Sequence, residues 1–286
     1  MELKKSERSK AKIKMALQGP SGSGKTMSAL LLAQGLTDGN LSKVAIIDTE
    51  TGSSNLYSHL GSYNVLNLDN PHSPERYIQA IDVCINAGME VIILDSISHA
   101  WDYLLDYHSS LPGNSFTNWA KITPMQKAFV DKILQSNVHI IATMRVKQDY
   151  VLSERNGKMV PEKVGLKAIQ RDEISYEFTI VFDVDSKHYA VSSKDRTLLF
   201  EGKPQFIINS QTGKRILEWC NSTMTKAELK QKVTECNNMQ ELTELFNANP
   251  DLAKTIEHDF VEKRNLLKQL TSNITSNGNG AYSNKQ

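Results

Sequence analysis

The segment that constrains this chain most is an eight-residue glycine-rich stretch, Gly19-Pro-Ser-Gly-Ser-Gly-Lys25-Thr26. It follows an apolar run with the pattern of a strand, Lys12–Gln18, and precedes a helical pattern, Thr26–Leu36. The glycines let the backbone wrap around a phosphate, so that successive N–H groups and the helix N-terminus point at negative charge. An accidental match in an ordinary turn is the alternative, and the strand and helix on either side disfavour it.

Each residue of this stretch has an expected role. Lys25 supplies a point charge to the β- and γ-phosphates, and the hydroxyl of Thr26 ligates Mg²⁺. The expected ligands are therefore ATP and Mg²⁺. The residues expected to surround the phosphates are Gly19, Pro20, Ser21, Gly22, Ser23, Gly24, Lys25 and Thr26.

Two further strand patterns lead into acidic residues. The apolar run Val91–Asp95 ends in a carboxylate that would hold Mg²⁺ through water, or that caps the next turn. The run Val44–Asp48 is followed by Glu50, which could accept a proton from the water that attacks the γ-phosphate. From the residues alone, a solvated loop acid is an equally open interpretation of Glu50.

The order of the patterns predicts an α/β fold. Strands that are apolar on both faces alternate with helices up to about residue 143, which indicates a mainly parallel sheet covered on both sides. The helices are expected at Pro74–Ala87 and Pro124–Gln135, and a further strand at Val138–Thr143. From Phe178 onward, short strands predict an antiparallel extension; they read FTIVFDV, HYAVSS, TLLF and QFIIN.

We expect four segments along the chain. They are a flexible basic N-terminus (1–11), an ATPase core (12–221), a C-terminal helical segment (222–270) and a disordered tail (271–286). Capping-box spacings at Thr225 and Asn238 open two short helices, and a longer helix should follow Pro250.

Composition excludes several classes of protein. The 33 basic and 32 acidic residues give a net charge of +1, so nucleic-acid binding cannot be argued from total charge. The three cysteines have no metal-ligand spacing and are typical of a reducing compartment. No apolar run reaches the roughly 18 residues that a membrane helix needs, and the basic N-terminus lacks a signal-peptide core. A cytoplasmic protein without a membrane partner is expected.

Taken together, GPSGSGKT, AIIDTE and VIILDS resemble, in order and spacing, the core of RecA-like ATPases. The resemblance implies that Glu50 is the catalytic base. Later segments resemble the RecA-like AAA-family ATPases of phages and prophages, which have been linked to single-strand annealing and recombination. These segments are DSISHAWDYL, FTNWAKITP, HIIATMRVKQDYV, VGLKAIQRDEISYEF and VSSKDRT, so the resemblance covers residues 12 to about 220.

The resemblance also implies a residue that senses the γ-phosphate. Thr143 and Arg145 stand where a RecA-like protein would carry a glutamine for this purpose. Arg145 is the preferred candidate, and a structural salt bridge is the alternative.

A basic stretch follows this position. Between Arg145 and Arg171, seven basic residues stand against three acidic ones, a local net charge of +4. RecA-like proteins hold single-stranded DNA in loops at this edge of the sheet, although a solvated surface loop is the alternative. The DNA-binding candidates are Lys147, Tyr150, Arg155, Lys158, Lys163 and Lys167. Ser109–Trp119 is a second candidate loop, with Trp101 and Trp119 read as core aromatics.

Lys194 and Arg196 form a pair of cations at a strand end. Residues two apart on an extended segment point to the same side. RecA-like proteins carry a similar pair that reaches the adjacent subunit's site, which implies a homo-oligomer, either a ring or a filament. The alternative is a β-turn with solvated charges.

These expectations define one function and two alternatives. The first is an ATP-hydrolysing protein that acts on single-stranded DNA in phage-type recombination, annealing or repair, with DNA-stimulated turnover. The alternatives are a helicase-like motor or loader with the same core, and an ATP-dependent switch that controls a protein partner.

Overall fold

The computed structural model describes residues 11–155, 158–171, 174–221 and 226–276, with the backbone alone for 148–155, 158–166, 251 and 270–276. Contacts within the chain separate a large unit, Ala11–Cys220, from a C-terminal unit that begins at Asn221. Among the described residues, no helix is long and apolar enough to cross a membrane.

The large unit contains nine strands among its described residues. They are β1 Lys14–Gly19, β2 Val44–Asp48, β3 Asn64–Asn67, β4 Val91–Asp95, β5 His139–Arg155, β6 Lys158–Ala168, β7 Ile180–Val184, β8 Tyr189–Asp195 and β9 Phe206–Ile207. Its α-helices are α1 Lys25–Leu36, α2 Pro74–Asn86, α3 Ser98–Ser110, α4 Ser115–Gln135, α5 Ile174–Glu177 and α6 Ser210–Asn221.

The strands form one sheet in the order β3-β2-β4-β5-β1-β7-β8-β9, with β6 paired to β5. In this order, the strands β3, β2, β4, β5, β1 and β7 each pair in parallel with the next one. The pairs β7–β8, β8–β9 and β5–β6 are antiparallel. The expected α/β class is therefore confirmed: a mainly parallel sheet with an antiparallel extension, and the glycine-rich loop directly after the central strand β1.

Both faces of the sheet are buried, because successive side chains of a strand point to opposite faces. In β1, Met15 and Leu17 pack in the cluster that contains Leu30 and Leu32 of α1. Ala16 packs in the cluster of the other face, which contains Phe129 of α4. The two layers fix β1 at the centre and hold the start of α1 at the carboxyl edge of the sheet.

The helix expected at Pro124 begins nine residues earlier, at Ser115. Asn114 provides the cap, since its Oδ1 accepts a hydrogen bond of 2.8 Å from the N–H of Phe116. A Thr-Pro pair is typical of a helix start, but a long helix can contain one proline. The proposed Ser109–Trp119 loop is therefore wrong as a loop, because it is helical except between α3 and α4.

The segment TLLF is not a strand. The carboxylate of Asp195 accepts hydrogen bonds from the N–H groups of Thr197 (2.7 Å) and Phe200 (2.7 Å), so the chain turns there. The predicted strand Val138–Thr143 extends instead to Arg155, because its second half pairs with β6 in an antiparallel hairpin.

The C-terminal unit is helical, with α7 Lys226–Glu235, α8 Met239–Ala248, α9 Pro250–Lys254 and α10 Glu257–Ser276. Leu229, Val233, Leu242 and Phe260 form its core. The helix expected after Pro250 is divided into α9 and α10. The tail expected to be disordered from residue 271 is helical up to Ser276, because an established helix extends at little cost into weak helix formers.

Candidate nucleotide-binding site

The glycine-rich loop between β1 and α1 forms a tight cradle. A Cβ atom on Gly19 would lie 2.3 Å from the carbonyl oxygen of Val184, so the backbone leaves no room for a side chain there. Gly24 has a φ of +84°, a conformation that favours glycine, and it places Lys25 at the first position of α1. The buried Oγ of Ser23 has no hydrogen-bond partner among the described residues. A phosphate group would fit in the space that the glycines leave, and it could accept a hydrogen bond from the hydroxyl of Ser23.

Lys25 is held against the loop. Its Nζ donates to the carbonyl oxygens of Gly19 (3.0 Å) and Pro20 (2.8 Å). Burial lowers the pKa of Lys25, and the nearby carboxylates of Asp95 and Glu50 oppose that shift. The ammonium group therefore has only carbonyl partners on the loop, which an anionic phosphate would replace with a stronger electrostatic interaction.

Asp95, at the end of β4, is 2% exposed and lies beside Thr26. One carboxylate oxygen accepts a bond of 2.6 Å from the hydroxyl of Thr26, and the other accepts a bond of 2.5 Å from the hydroxyl of Thr143. Burial raises the pKa of Asp95, while these two hydrogen bonds oppose the rise. A hydroxyl and a carboxylate are oxygen ligands that suit Mg²⁺, so Thr26 and Asp95 fit the ion directly and through water.

Asp48, at the end of β2, shapes the loop that carries Glu50. Its carboxylate accepts bonds from the N–H of Glu50 (2.6 Å), the N–H of Ser54 (2.9 Å) and the hydroxyl of Ser54 (2.5 Å). Asp48 pairs in register with Asp95 on the adjacent strand. This arrangement places Glu50 beside the Thr26–Asp95 pair rather than free in solvent.

Glu50 and Arg145 form a two-point ion pair. The Nε of Arg145 donates to Oε1 of Glu50 at 2.9 Å, and a second guanidinium nitrogen donates to Oε2. This hydrogen bonding raises the pKa of Arg145. Arg145 also pairs in register with Gly19, the first residue of the glycine-rich loop. The backbone of Arg145 therefore lies next to the start of that loop.

A cavity of about 590 Å³ lies along the loop and is lined by Glu50, Asp95 and Arg145 as well as by Lys25 and Thr26. Its size is in the range of small-molecule sites. Two groups in or beside it have no role in the sequence analysis: the ring of His188, which lies 3.0 Å from the carbonyl oxygen of Ser23, and apolar side chains. Thr143, which the sequence places at the sensor position together with Arg145, donates its hydroxyl proton to Asp95. The apolar lining residues are Met27, Leu31, Ile207 and Ile208.

A second cavity, of about 960 Å³, shares Glu50 and Arg145 with the first. Its other lining residues include His72, His99 and Asp102. The Glu50–Arg145 pair therefore separates two cavities. No cluster of histidine, cysteine and acidic residues that could hold a metal ion by itself occurs in the part of the chain that the structure describes.

Lys194 and Arg196 do not line the cavity along the loop. The Nζ of Lys194 donates to the carbonyl oxygen of Ser175 at 3.2 Å, and a guanidinium nitrogen of Arg196 donates to that of Tyr176 at 3.0 Å. Burial lowers the pKa of Lys194, with Arg196 adding to the shift. Within one chain, both cations thus bind the backbone of α5.

The basic stretch after Arg145 is a β-hairpin and not a loop, because β5 and β6 pair along their length. Lys147 is exposed and Lys167 is half-buried. The side chains of Tyr150, Arg155, Lys158 and Lys163 lie outside the described residues. The backbone places all six candidates on the hairpin that continues β5 beyond Arg145.

Trp119 is half-buried and stacks on His108, with ring centroids 4.4 Å apart, and on Trp101 at 6.0 Å. Both tryptophans therefore take part in packing between α3 and α4.

Comparison with known proteins identifies the family of this chain. A solved structure of a KaiC-like protein from the hyperthermophilic archaeon Pyrococcus horikoshii has 17% sequence identity and a TM-score of 0.39, over 66% of this chain and 80% of that chain. No curated protein matches the sequence. A family model described as an AAA domain matches residues 11–228, which contain the loop, both acidic strand ends and Arg145. The chain therefore belongs to the AAA domain family.

Proposed function

We propose that the protein is an ATPase that binds Mg²⁺–ATP along the loop and uses Glu50 as the general base. The observation that supports this most is the position of Glu50 and Arg145 in the same cavity as Lys25, Thr26 and Asp95. Phosphate, metal and base functions thus converge on one site of suitable volume.

The residues divide the work as follows. Lys25 exchanges the carbonyl oxygens of Gly19 and Pro20 for phosphate oxygens. Mg²⁺, when bound by Thr26 and through water by Asp95, neutralises charge on the phosphates. Glu50 removes a proton from the attacking water.

Arg145 controls the base. A carboxylate that accepts two bonds from a guanidinium is a poor proton acceptor, because its negative charge is already stabilised. Arg145 is drawn from Glu50 to the γ-phosphate when ATP binds, and this exchange frees the carboxylate. Arg145 is thus the γ-phosphate sensor, and its ion pair with Glu50 is the resting arrangement.

Lys25→Ala and Glu50→Gln separate binding from chemistry. Lys25→Ala should lose most ATP affinity, because no other described ammonium lines the cavity. Glu50→Gln should bind ATP and hydrolyse it roughly 10²–10⁴-fold more slowly, the usual contribution of a general base. Fluorescent ATP binding and phosphate release measure the two effects, with Glu75→Gln at the start of α2 as the control. Undiminished turnover in Glu50→Gln would remove the base assignment.

We further propose that the hairpin β5–β6 binds single-stranded DNA and that this binding stimulates ATP hydrolysis. The support is the excess of basic residues on the paired hairpin, where five basic residues stand against three acidic ones, and the fact that strand β5 also carries Arg145. Contacts to the DNA backbone on the hairpin would thereby act on the strand that holds the sensor. The role in recombination or annealing remains tied to this DNA proposal. The alternatives predict different responses: a switch for a protein partner shows no DNA stimulation, and a motor or loader additionally unwinds or translocates.

Replacing Lys158 and Lys163 with alanine tests the hairpin. If both contact phosphates, affinity should fall equally for all sequences, and the log–log salt slope should decrease by roughly one unit per lost contact. Lys226→Ala with Lys232→Ala, both exposed on α7, is the matched control. An unchanged slope in the hairpin variant would place DNA elsewhere.

We also propose that the protein works as a homo-oligomer, a ring or a filament, in which Lys194 and Arg196 serve the neighbouring site. They do not line the cavity of their own chain, and α5 carbonyls are weak partners that a phosphate can replace. An arginine that a neighbouring subunit contributes to the site (an arginine finger) raises the hydrolysis rate roughly 10³–10⁵-fold.

Mixing Arg196→Ala protein with Lys25→Ala protein tests catalysis shared between chains. Some interfaces then pair an intact Lys25 with an intact Arg196, so ATPase activity should reappear. Co-assembly is verified by light scattering. A co-assembled mixture as inactive as each variant alone would make Arg196 a structural residue.

A further inference from the structure

His99, on α3, lies beside Glu50, although the proposed chemistry does not use it. Its Nε2 is 4.0 Å from Oε1 of Glu50, and its Nδ1 is 2.8 Å from the hydroxyl oxygen of Thr49. The side chain of His99 is 16% exposed. One ring thus connects the residue that precedes the proposed base with the base itself.

Stacking also restricts the orientation of the His99 ring. His72 stacks on it with ring centroids 5.1 Å apart and an interplanar angle of 19°. The Nε2 of His72 is in turn 2.9 Å from the carbonyl oxygen of Leu68. His99 therefore has little freedom to turn away from Glu50.

The contacts of Thr49 determine which nitrogen of His99 carries the proton. The hydroxyl oxygen of Thr49 accepts a bond of 2.9 Å from the N–H of Ser96. Three acceptors lie within reach of the Thr49 hydroxyl: the carbonyl oxygens of Asp95 (3.1 Å) and Ser96 (3.3 Å), and Nδ1 of His99 (2.8 Å). Both carbonyl oxygens also accept another hydrogen bond, from the N–H of Thr49 and from the hydroxyl of Tyr77 respectively. The contact with Nδ1 is the shortest of the three, which favours Nδ1 as the acceptor of the hydroxyl proton.

With Nδ1 as acceptor, the neutral ring carries its proton on Nε2. The carboxylate of Glu50 favours this tautomer, since the alternative would direct a lone pair at a negative charge. The resulting chain runs from the Ser96 amide through Thr49 to His99, whose N–H faces Glu50.

We propose that His99 is a positioning residue for Glu50: its Nε2–H takes over the carboxylate when Arg145 leaves for the γ-phosphate. This inference rests on the proposed ATPase function. A separation of 4.0 Å is too long for a hydrogen bond, and a shift of Glu50 by about 1 Å closes it. A single neutral donor orients the carboxylate while leaving it more basic than the guanidinium pair does.

The charge state of His99 gives this role a pH signature. Burial lowers its pKa, and so does Arg145 on β5; Glu50 and Asp102 raise it, and His72 lowers it. The ring is thus neutral near pH 7. As the pH falls through its pKa, the ring becomes a second cation beside Glu50, stabilises the carboxylate and weakens the base. The acid limb of kcat/KM, which reports the nucleotide-free protein, should therefore include the titration of His99.

Two substitutions at this position separate orientation from simple packing. His99→Ala should lower kcat by about 10- to 100-fold with little change in the KM for ATP, because the base is misplaced rather than removed. His99→Gln retains an uncharged N–H donor, so it should restore most of kcat and move the acid limb to lower pH. His72→Gln is the matched control, since it removes the same ring stack without a contact to Thr49 or Glu50. A wild-type kcat in His99→Ala, a wild-type acid limb in His99→Gln, or an equal loss in His72→Gln would overturn the proposal.

A readout that needs no turnover separates this inference from the proposed function. In ¹⁵N-histidine NMR of the nucleotide-free protein, neutral His99 should carry its proton on Nε2, and Glu50→Gln should lower its pKa. A proton on Nδ1, or an unchanged pKa in Glu50→Gln, would contradict the positioning role even if the protein is an active ATPase. A wild-type protein that does not hydrolyse ATP, with the NMR result as expected, would instead contradict the ATPase proposal.

Discussion

The buried carboxylate of Asp95 is the interaction on which the site depends. Its two oxygens accept hydroxyl bonds from Thr26, at the start of α1, and from Thr143, on β5. Its backbone carbonyl oxygen accepts the N–H of Thr49, which follows β2. A buried charge is costly unless it is hydrogen-bonded, so the three segments are tied to one another through Asp95. The glycine-rich loop, Glu50 and strand β5, which carries Arg145, thereby have fixed relative positions.

The second constraint is the competition for Glu50. Arg145 binds both of its oxygens, and Nε2 of His99 lies 4.0 Å from one of them, Oε1. Arg145 belongs to β5, which pairs with the phosphate-loop strand before it continues into the hairpin. A single strand thus connects the cradle, the guanidinium and the proposed DNA surface. This arrangement gives a physical route by which an event on the hairpin would alter the freedom of Glu50.

The sequence predicts features that depend on neighbouring residues better than features that depend on distant ones. The phosphate loop is recognisable because glycine, lysine and threonine have local roles at fixed spacing, and the strands β1, β2 and β4 because both of their faces are apolar. The pairing of Glu50 with Arg145 joins residues 95 positions apart, and that of Thr143 with Asp95 joins residues 48 apart, so no spacing reveals them. The charged residues of the hairpin hide the strand alternation, so the sequence indicates a loop where β5 and β6 pair. The Thr-Pro pair predicts that a helix starts at Pro124. The helix starts instead at Ser115, where Asn114 provides the cap.

The role of Asp95 can be measured most directly through the Mg²⁺ dependence of ATP binding. Asp95→Asn keeps the shape of the side chain and an oxygen acceptor for one of the two hydroxyls, but it removes the charge that would hold the ion. Calorimetric titration with and without Mg²⁺, with thermal unfolding to verify the fold, should show that Mg²⁺ strengthens ATP binding in the wild-type protein. In Asp95→Asn the metal-free affinity should persist while the gain from Mg²⁺ is lost. A variant that folds and gains as much from Mg²⁺ as the wild-type protein would contradict the assignment of Asp95 to the metal.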